Sequence, residues 1–387
     1  MTSEGGRPIP CGVGQEHSSG AARPKLHSVQ MLRGVGAMLV VGIHINNWLH
    51  AREPFIGPSH IAWFAKWHQF GAIGVDIFFV ISGFVIALTM GKYQGRPGVF
   101  MLQRYLRIAP LAYIFSALWI LKLYLAGRTI KMPGVISTIV LAPILPTYTI
   151  PTLDVLWTLA FEFTFYLFVV AILLCRKGTW TLFVVTAVLA PIGFFYAFGY
   201  PLLRFATHPM LLEFALGMAA FFLWQGNILS PRLRALSGLV GAAALIAEAL
   251  LGSGVAANPA LAISGETALR RVVEYALPTF LLINFLVAWE PRDTIVRKIL
   301  VTIGDASYSI YLVHTLALGV PRLVLGRFVD PASAPWLYLA LIVLATVITP
   351  LIVYVYVEKP FTEILQRKIE GRKRPQAAAV ASPATAP

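Results

Sequence analysis

Apolar stretches of close to twenty residues recur along the whole length of this chain, each bounded by charge or by Pro and Gly. That length is what an α-helix needs to cross about 30 Å of hydrocarbon. Ten such stretches are read, over about residues 29–49, 72–90, 108–126, 155–175, 180–199, 209–225, 236–252, 272–289, 306–326 and 336–357. Of 387 residues, 58% are hydrophobic and 12% charged, about half the charge of an ordinary soluble domain. The expected fold is all-α: a polytopic membrane protein of about ten transmembrane helices. Residues 133–150 are apolar but broken by prolines, and are read as re-entrant or interfacial. Residues 54–70, with Trp63 and Trp67, are read as interfacial.

The ends differ from the middle. Residues 1–28 are polar, rich in Gly and Ser, and lack the basic start, apolar run and cleavage site of a signal peptide. They are expected to form a disordered cytoplasmic tail, ahead of a membrane domain over 29–361. Residues 362–387 are expected to form a second tail on the same side. A net charge of +14 would suit nucleic acid, but most of the 31 Lys and Arg fall in alternate loops. The positive-inside rule turns that distribution into topology: an even number of spans, both termini cytoplasmic, and no nucleic-acid partner.

Ionisable groups inside the spans carry more information, because each costs roughly 2.5–3.5 kcal/mol at depth. Arg33 and His44 share the first span with ten residues between them. Eleven helical steps come to about three full turns, so both lie on one face, roughly 16 Å apart along the axis. The charge distribution puts Arg33 at the cytoplasmic end and His44 towards the other. Asp76 opens the second span and Glu162 lies about two turns into the fourth. Both are expected at the depth of His44, where a carboxylate can orient an imidazole and stabilise its protonated form. The competing reading is a set of polar contacts between helices.

At the inner mouth, Arg104 and Arg107 precede Ile108 and Pro110 and join Arg33 as candidates to hold phosphates. Ser82 lies deeper in the second span. In the ninth, Ser307, Tyr311 and His314 share one face. They are expected in the inner half, away from His44, either lining a ligand or bonding helix to helix. Glu213 and Glu248 are read as packing or water-lined groups, Glu274 as solvated. Cys11 and Cys175 give neither a disulfide framework nor thiolate-metal spacing. His50, His60 and His68 lack ligand spacing, so no metal site is expected.

In order and spacing these segments resemble the acyltransferase 3 family of bacterial membrane acyltransferases. The resemblance runs from Leu26 to about Phe361. It rests on Arg33 with His44, Asp76-Ile-Phe-Phe with Ser82-Gly83-Phe84, Arg104 with Arg107-Ile108 and Pro110, and Trp157 with Glu162 and Phe165-Tyr166. Further on come Ser307-Tyr308-Ser309-Ile310-Tyr311-Leu312 with His314, and Glu358-Lys359-Pro360-Phe361. The single acid at Glu162, with Phe163 after it, is most similar to the exopolysaccharide branch. The family's paired arginines stand here as Gln103-Arg104, and its tyrosine two after the proline is Ala112, with Tyr113 following. The hydrolase-like domain fused to some relatives is expected to be absent.

The resemblance implies a multi-pass enzyme of the bacterial inner membrane, an O-acetyltransferase with acetyl-CoA as donor and no metal. The acceptor would be a hydroxyl of a polysaccharide or its lipid-linked precursor. His44 would be general base or nucleophile, with Glu162 and Asp76 beside it. Arg33, Arg104, Arg107, Ser82, Tyr311 and His314 would line the donor site. Membrane lipid and a second copy of the chain complete the partners. A glycan transporter would also carry ionisable groups at mid-depth, but no two-fold repeat is evident. A scaffold in an export complex is the third alternative.

Overall fold

The computed structural model describes residues 26–50, 70–251, 259–319 and 334–371. The expected N-terminal tail with Cys11, the segment of Trp63, Trp67, His60 and His68, and the last sixteen residues, 372–387, lie outside the described residues. Among those described there are helices and connecting turns and no strand. The first half comprises α1 (His27–His50), α2 (Ile73–Thr89), α3 (Pro97–Leu125), α4 (Met132–Val140), α5 (Trp157–Leu174), α6 (Thr179–Leu189) and α7 (Pro201–Ala206). The second comprises α8 (Leu211–Gln225), α9 (Pro231–Leu251), α10 (Pro259–Ser264), α11 (Ala268–Arg271), α12 (Leu277–Leu286), α13 (Ile295–Asp305), α14 (Ser307–Ala317), α15 (Pro335–Val353) and α16 (Lys359–Gly371).

This is a helical membrane protein, with fewer clean crossings than the ten expected. Among the described residues seven helical runs are long and apolar enough to span a bilayer, or eight if α13 and α14 count as one broken span. The shortfall has local causes. The stretch expected at 180–199 ends its helical run at Phe194, just past Pro191 and Gly193. That expected at 272–289 follows directly on Arg270 and Arg271, contains Glu274, and passes through a wide helical turn over Val272–Ala276 before Pro278. That expected at 306–326 bends by 73° at Ala306, the junction of α13 and α14. In the proline-broken segment, α4 covers nine residues and the chain then runs irregularly to Leu153.

Helices α2 and α5 form the centre, largely covered by protein, while α9 and α15 expose most of their surface. In lipid there is no hydrophobic drive between helices, so close backbone approach has to supply the packing. At the crossing of α2 and α8 it does. A Cβ on Gly83 would collide with the Phe214 carbonyl, and one on Gly217 with that of Val80. Phe79 and Phe214 stack beside this crossing, their ring centroids 4.7 Å apart.

The end of α15 caps a helix. Its last turn leads through a wide turn, Tyr354–Glu358, into α16. There the buried Glu358 carboxylate accepts from the Ser309 amide at 3.1 Å and from its hydroxyl at 2.5 Å. Ser309 lies in the first turn of α14, where amides have no intrahelical acceptor, so an anion there meets the positive end of the helix. This holds α14 at its bend and fixes where its side chains point.

Candidate functional site

Two cavities lie within the bundle and share the walls Val75 and Tyr311. The first, of about 130 Å³, is lined by Arg33 from α1, Ser82 from α2, Arg104 and Arg107 from α3, and Glu162 from α5. Ser307, Tyr308 and Tyr311 bring the N-terminal half of α14 to the same space. Three guanidinium groups face one carboxylate among these residues, an excess of positive charge suited to an anion.

Three of its charges, Arg33, Arg104 and Glu162, are positioned by neighbours. The Arg104 guanidinium sits 5.5 Å from the Phe100 ring centroid and 5.8 Å from that of Tyr166. Held over ring faces by cation–π attraction, it keeps its N–H groups for a ligand. Arg33 donates to Gln30 at 3.4 Å. The Tyr166 hydroxyl donates to Glu162, and the Tyr308 hydroxyl donates to the Ile108 carbonyl, tying α14 to α3 beside Pro110.

The second cavity, of about 230 Å³, contains His44. The His44 Nδ1 lies 2.9 Å from the Val40 carbonyl. A carbonyl can only accept, so Nδ1 carries a proton and donates it there. His314 repeats the arrangement, with Nδ1 at 2.8 Å from the Ile310 carbonyl, and its buried Nε2 has no protein partner. The two rings meet edge to face, centroids 4.8 Å apart. Asn47, Asp154, Trp157 and Arg271 line the same cavity.

Against the sequence expectations, Arg33, Arg104, Arg107, Ser82 and Tyr311 do share one space. Three others do not stand where expected. Glu162 is not at the depth of His44 but in the arginine cavity. Its helical run enters at Asp154, which lines the histidine cavity, and eight residues further is about 12 Å deeper. Asp76 faces neither cavity. Its carboxylate receives Arg271 Nη2 at 2.7 Å and Nε at 3.2 Å, with both side chains buried. His314 is not apart from His44 but against it, because α14 starts at the arginine cavity and climbs about 10 Å over seven residues.

The departures at the inner mouth are accounted for locally. Gln103 accepts from the Tyr93 hydroxyl at 2.7 Å. Tyr113 donates to the Ile139 carbonyl of α4 at 2.7 Å, and Ala112 is buried. Glu213, fully buried on α8, lies beside Asp76, so two acids stand near the single Arg271 charge. Cys175 is free and exposed. Among the described residues, no three His, Cys, Asp or Glu side chains gather as metal ligands.

Of the lining residues, Arg271, Asp154 and Asn47 are overlooked in the sequence, and Tyr308 is read there only as part of a motif. Arg271 was hidden beside Arg270, which pairs with Glu274 in the way expected of a surface cation. The available signal was Asp76, an acid in an apolar span that needed a buried cation.

A helical membrane bundle in which an arginine-lined cavity adjoins one holding two packed histidines defines a candidate active site. Comparison with known proteins gives the class. The acyltransferase domain family model matches residues 26–355, and the chain belongs to that family; it is an acyltransferase. It is 30% identical over 267 residues to the exopolysaccharide production protein ExoZ of Rhizobium meliloti (strain 1021), covering 65% of this chain and 79% of that one. It is 26% identical to the acyltransferase MdmB of Streptomyces mycarofaciens, covering 92% of this chain and 95% of that one. A shorter match, 30% over 177 residues, is to nodulation protein 10 of Rhizobium leguminosarum bv. viciae. No solved structure matches the chain.

Proposed function

We propose that this acyltransferase moves an acyl group, acetyl first among candidates, from cytoplasmic acyl-CoA to a hydroxyl of an exported polysaccharide or its lipid-linked precursor. The observation that carries this is the pair of cavities meeting at Tyr311, one lined by three arginines and the other by His44. The phosphates of CoA suit Arg33, Arg104 and Arg107, and the pantetheine arm suits the passage from Arg33 to His44, roughly 16 Å along α1. The distribution of Lys and Arg supports cytoplasmic termini in the bacterial inner membrane, with the arginine cavity facing the donor pool. The polysaccharide acceptor is supported by the likeness to the exopolysaccharide production protein.

In this reading His44 Nε2 takes the proton of the attacking hydroxyl as its oxygen adds to the thioester carbonyl. The C–O bond forms, the C–S bond breaks, and the proton passes to the departing thiolate, which leaves as CoA thiol. Glu162 positions and balances the arginines, and Asp76 acts through Arg271.

The test uses full-length protein in lipid nanodiscs with acetyl-CoA carrying a radiolabelled acetyl group. Label should pass to glycan, and His44→Ala should lose about 10²-fold or more in kcat with the KM for acetyl-CoA little changed. Near wild-type transfer by His44→Ala overturns the assignment. Label trapped on His44 without acceptor would make it the nucleophile instead.

A further inference from the structure

Arg271 is held more firmly than a simple ion pair requires. Its Nε and Nη2 donate to the Asp76 carboxylate at 3.2 and 2.7 Å, and Nη2 also reaches the Ala72 carbonyl at 3.4 Å. The Tyr275 ring lies beside it, its centroid 5.8 Å from the guanidinium carbon. These contacts fix the fork, and Nη1 has no protein acceptor among the described contacts. Arg271 also lines the cavity of His44. Among the described residues of that lining it alone carries a permanent positive charge.

Proton transfer by His44 does not meet every demand of the reaction. As the hydroxyl oxygen adds to the thioester carbonyl, the C=O electron pair moves onto oxygen, and the oxyanion calls for a donor already in place. The Tyr311 hydroxyl is committed to the Val155 carbonyl, and Asn47 stands exposed at the rim. Arg271 brings a charged N–H from a buried, fixed position.

A guanidinium fully cancelled by carboxylates would serve poorly. Asp76, Glu213 and Arg271 are all buried, and Glu213 lies beside Asp76. With both acids ionised, the cluster would hold an unbalanced negative charge out of water and would repel an oxyanion. With a proton kept on Glu213 and donated to Asp76, the cluster is neutral. The Asp76 charge is then drawn towards α8 and away from Arg271.

We propose that Arg271 Nη1 holds the oxyanion formed on the acyl carbonyl, and that Glu213, as a neutral acid donating to Asp76, leaves the Arg271 charge available for it. On collapse the pair returns to re-form C=O, the C–S bond breaks with its electrons going to sulfur, and His44 gives the thiolate its proton. Arg271 is then catalytic and Glu213 a positioning residue. This rests on the acyl-transfer reading above and adds to it the group that makes the carbonyl electrophilic.

The contact can be read without turnover. Full-length protein in nanodiscs, without acceptor, is given acetyl-CoA carrying carbon-13 at the thioester carbonyl, and isotope-edited infrared spectra isolate that band. In the parent the bound carbonyl should absorb at lower frequency than in free acetyl-CoA, since a charged donor weakens the C=O bond. Arg271→Lys keeps a charge for Asp76 but loses the fork, and Asp76→Ala/Arg271→Met removes both charges together, so neither strands one. In both, the band should return towards its free position, with kcat down about 10²-fold and the KM for acetyl-CoA within about twofold. Glu213→Leu should lower kcat about tenfold and lose part of the band shift, and Glu213→Gln, neutral and still a donor, should recover both.

An unshifted band in the parent, the parent's shift in the double variant, or a raised KM at constant kcat overturns the role of Arg271. Equal losses in Glu213→Gln and Glu213→Leu overturn that of Glu213. No bound-donor band at all overturns the acyl-CoA reading itself, whereas label transfer to glycan with an unshifted band overturns this proposal alone.

Discussion

The Arg271 guanidinium lies 2.7 Å from the Asp76 carboxylate, at a place where neither side chain reaches solvent. Two bonds fix the plane of the fork, so the remaining amino group has one direction in which to point. Asp76 therefore reaches the histidine cavity only through Arg271. Truncating one member of a buried pair strands the other charge. Asp76→Ala is expected to lower stability by about 3–5 kcal/mol, while the double variant Asp76→Ala/Arg271→Met recovers most of it. Thermal unfolding of the detergent-solubilised protein, followed by circular dichroism, measures both.

The arginine cavity predicts a dependence on donor phosphates. Arg107→Ala is expected to raise the KM for acetyl-CoA about tenfold or more, since a hydrogen bond to a charged group is worth about 1.5–3 kcal/mol. Acetyl-pantetheine, which lacks the phosphates, should be used equally well by variant and parent. Steady-state kinetics with the two donors separates phosphate recognition from general damage. An equal loss with both donors would refute it.

His314 abuts His44 without reaching the arginine cavity. His314→Leu is expected to lower kcat by about 10²-fold through misplacement of the His44 ring. The KM for acetyl-CoA should stay within about twofold, and the pH profile of kcat should move with it. A raised KM at constant kcat would return His314 to the donor site.

Glu358 on the segment between α15 and α16 holds the first turn of α14. Removing it as Glu358→Ala is expected to cost about 0.5–2 kcal/mol, the range for a lost helix cap. Glu358→Gln, which keeps an acceptor without the charge, should cost less. Hydrogen exchange at the Ser309 amide reports the change locally.

The sequence made much of this legible, because lipid enforces a simple rule on length and polarity. The helical membrane fold follows from apolar runs, and Arg33 stands out as a cation inside a span, whereas Arg104 and Arg107 sit where positive-inside anchoring alone would put them. Depth was harder to read. Glu162 was set beside His44 because both lie near helix ends, yet what matters is how far each chain segment has run when it passes the other. The run holding Glu162 starts level with the histidine and travels away from it. Arg271 was illegible for a different reason: two adjacent arginines face different ways, and only the three-dimensional position of Asp76 distinguishes the buried one. The bend at Ala306 is also tertiary, fixed by Glu358 from a segment about fifty residues later.

Tyr311 has a consequence beyond substrate handling. Its side chain is a wall of both cavities, and its hydroxyl is fastened 2.6 Å from the Val155 carbonyl and 2.9 Å from the Thr158 hydroxyl. In an energised membrane, each elementary charge crossing 100 mV releases about 2.3 kcal/mol. Two water-filled hollows joined end to end would be a leak, draining the ion gradient whether or not any donor was present. On the proposed route the donor arm must pass this phenol ring, so the ring would have to part for the arm and otherwise bar ions.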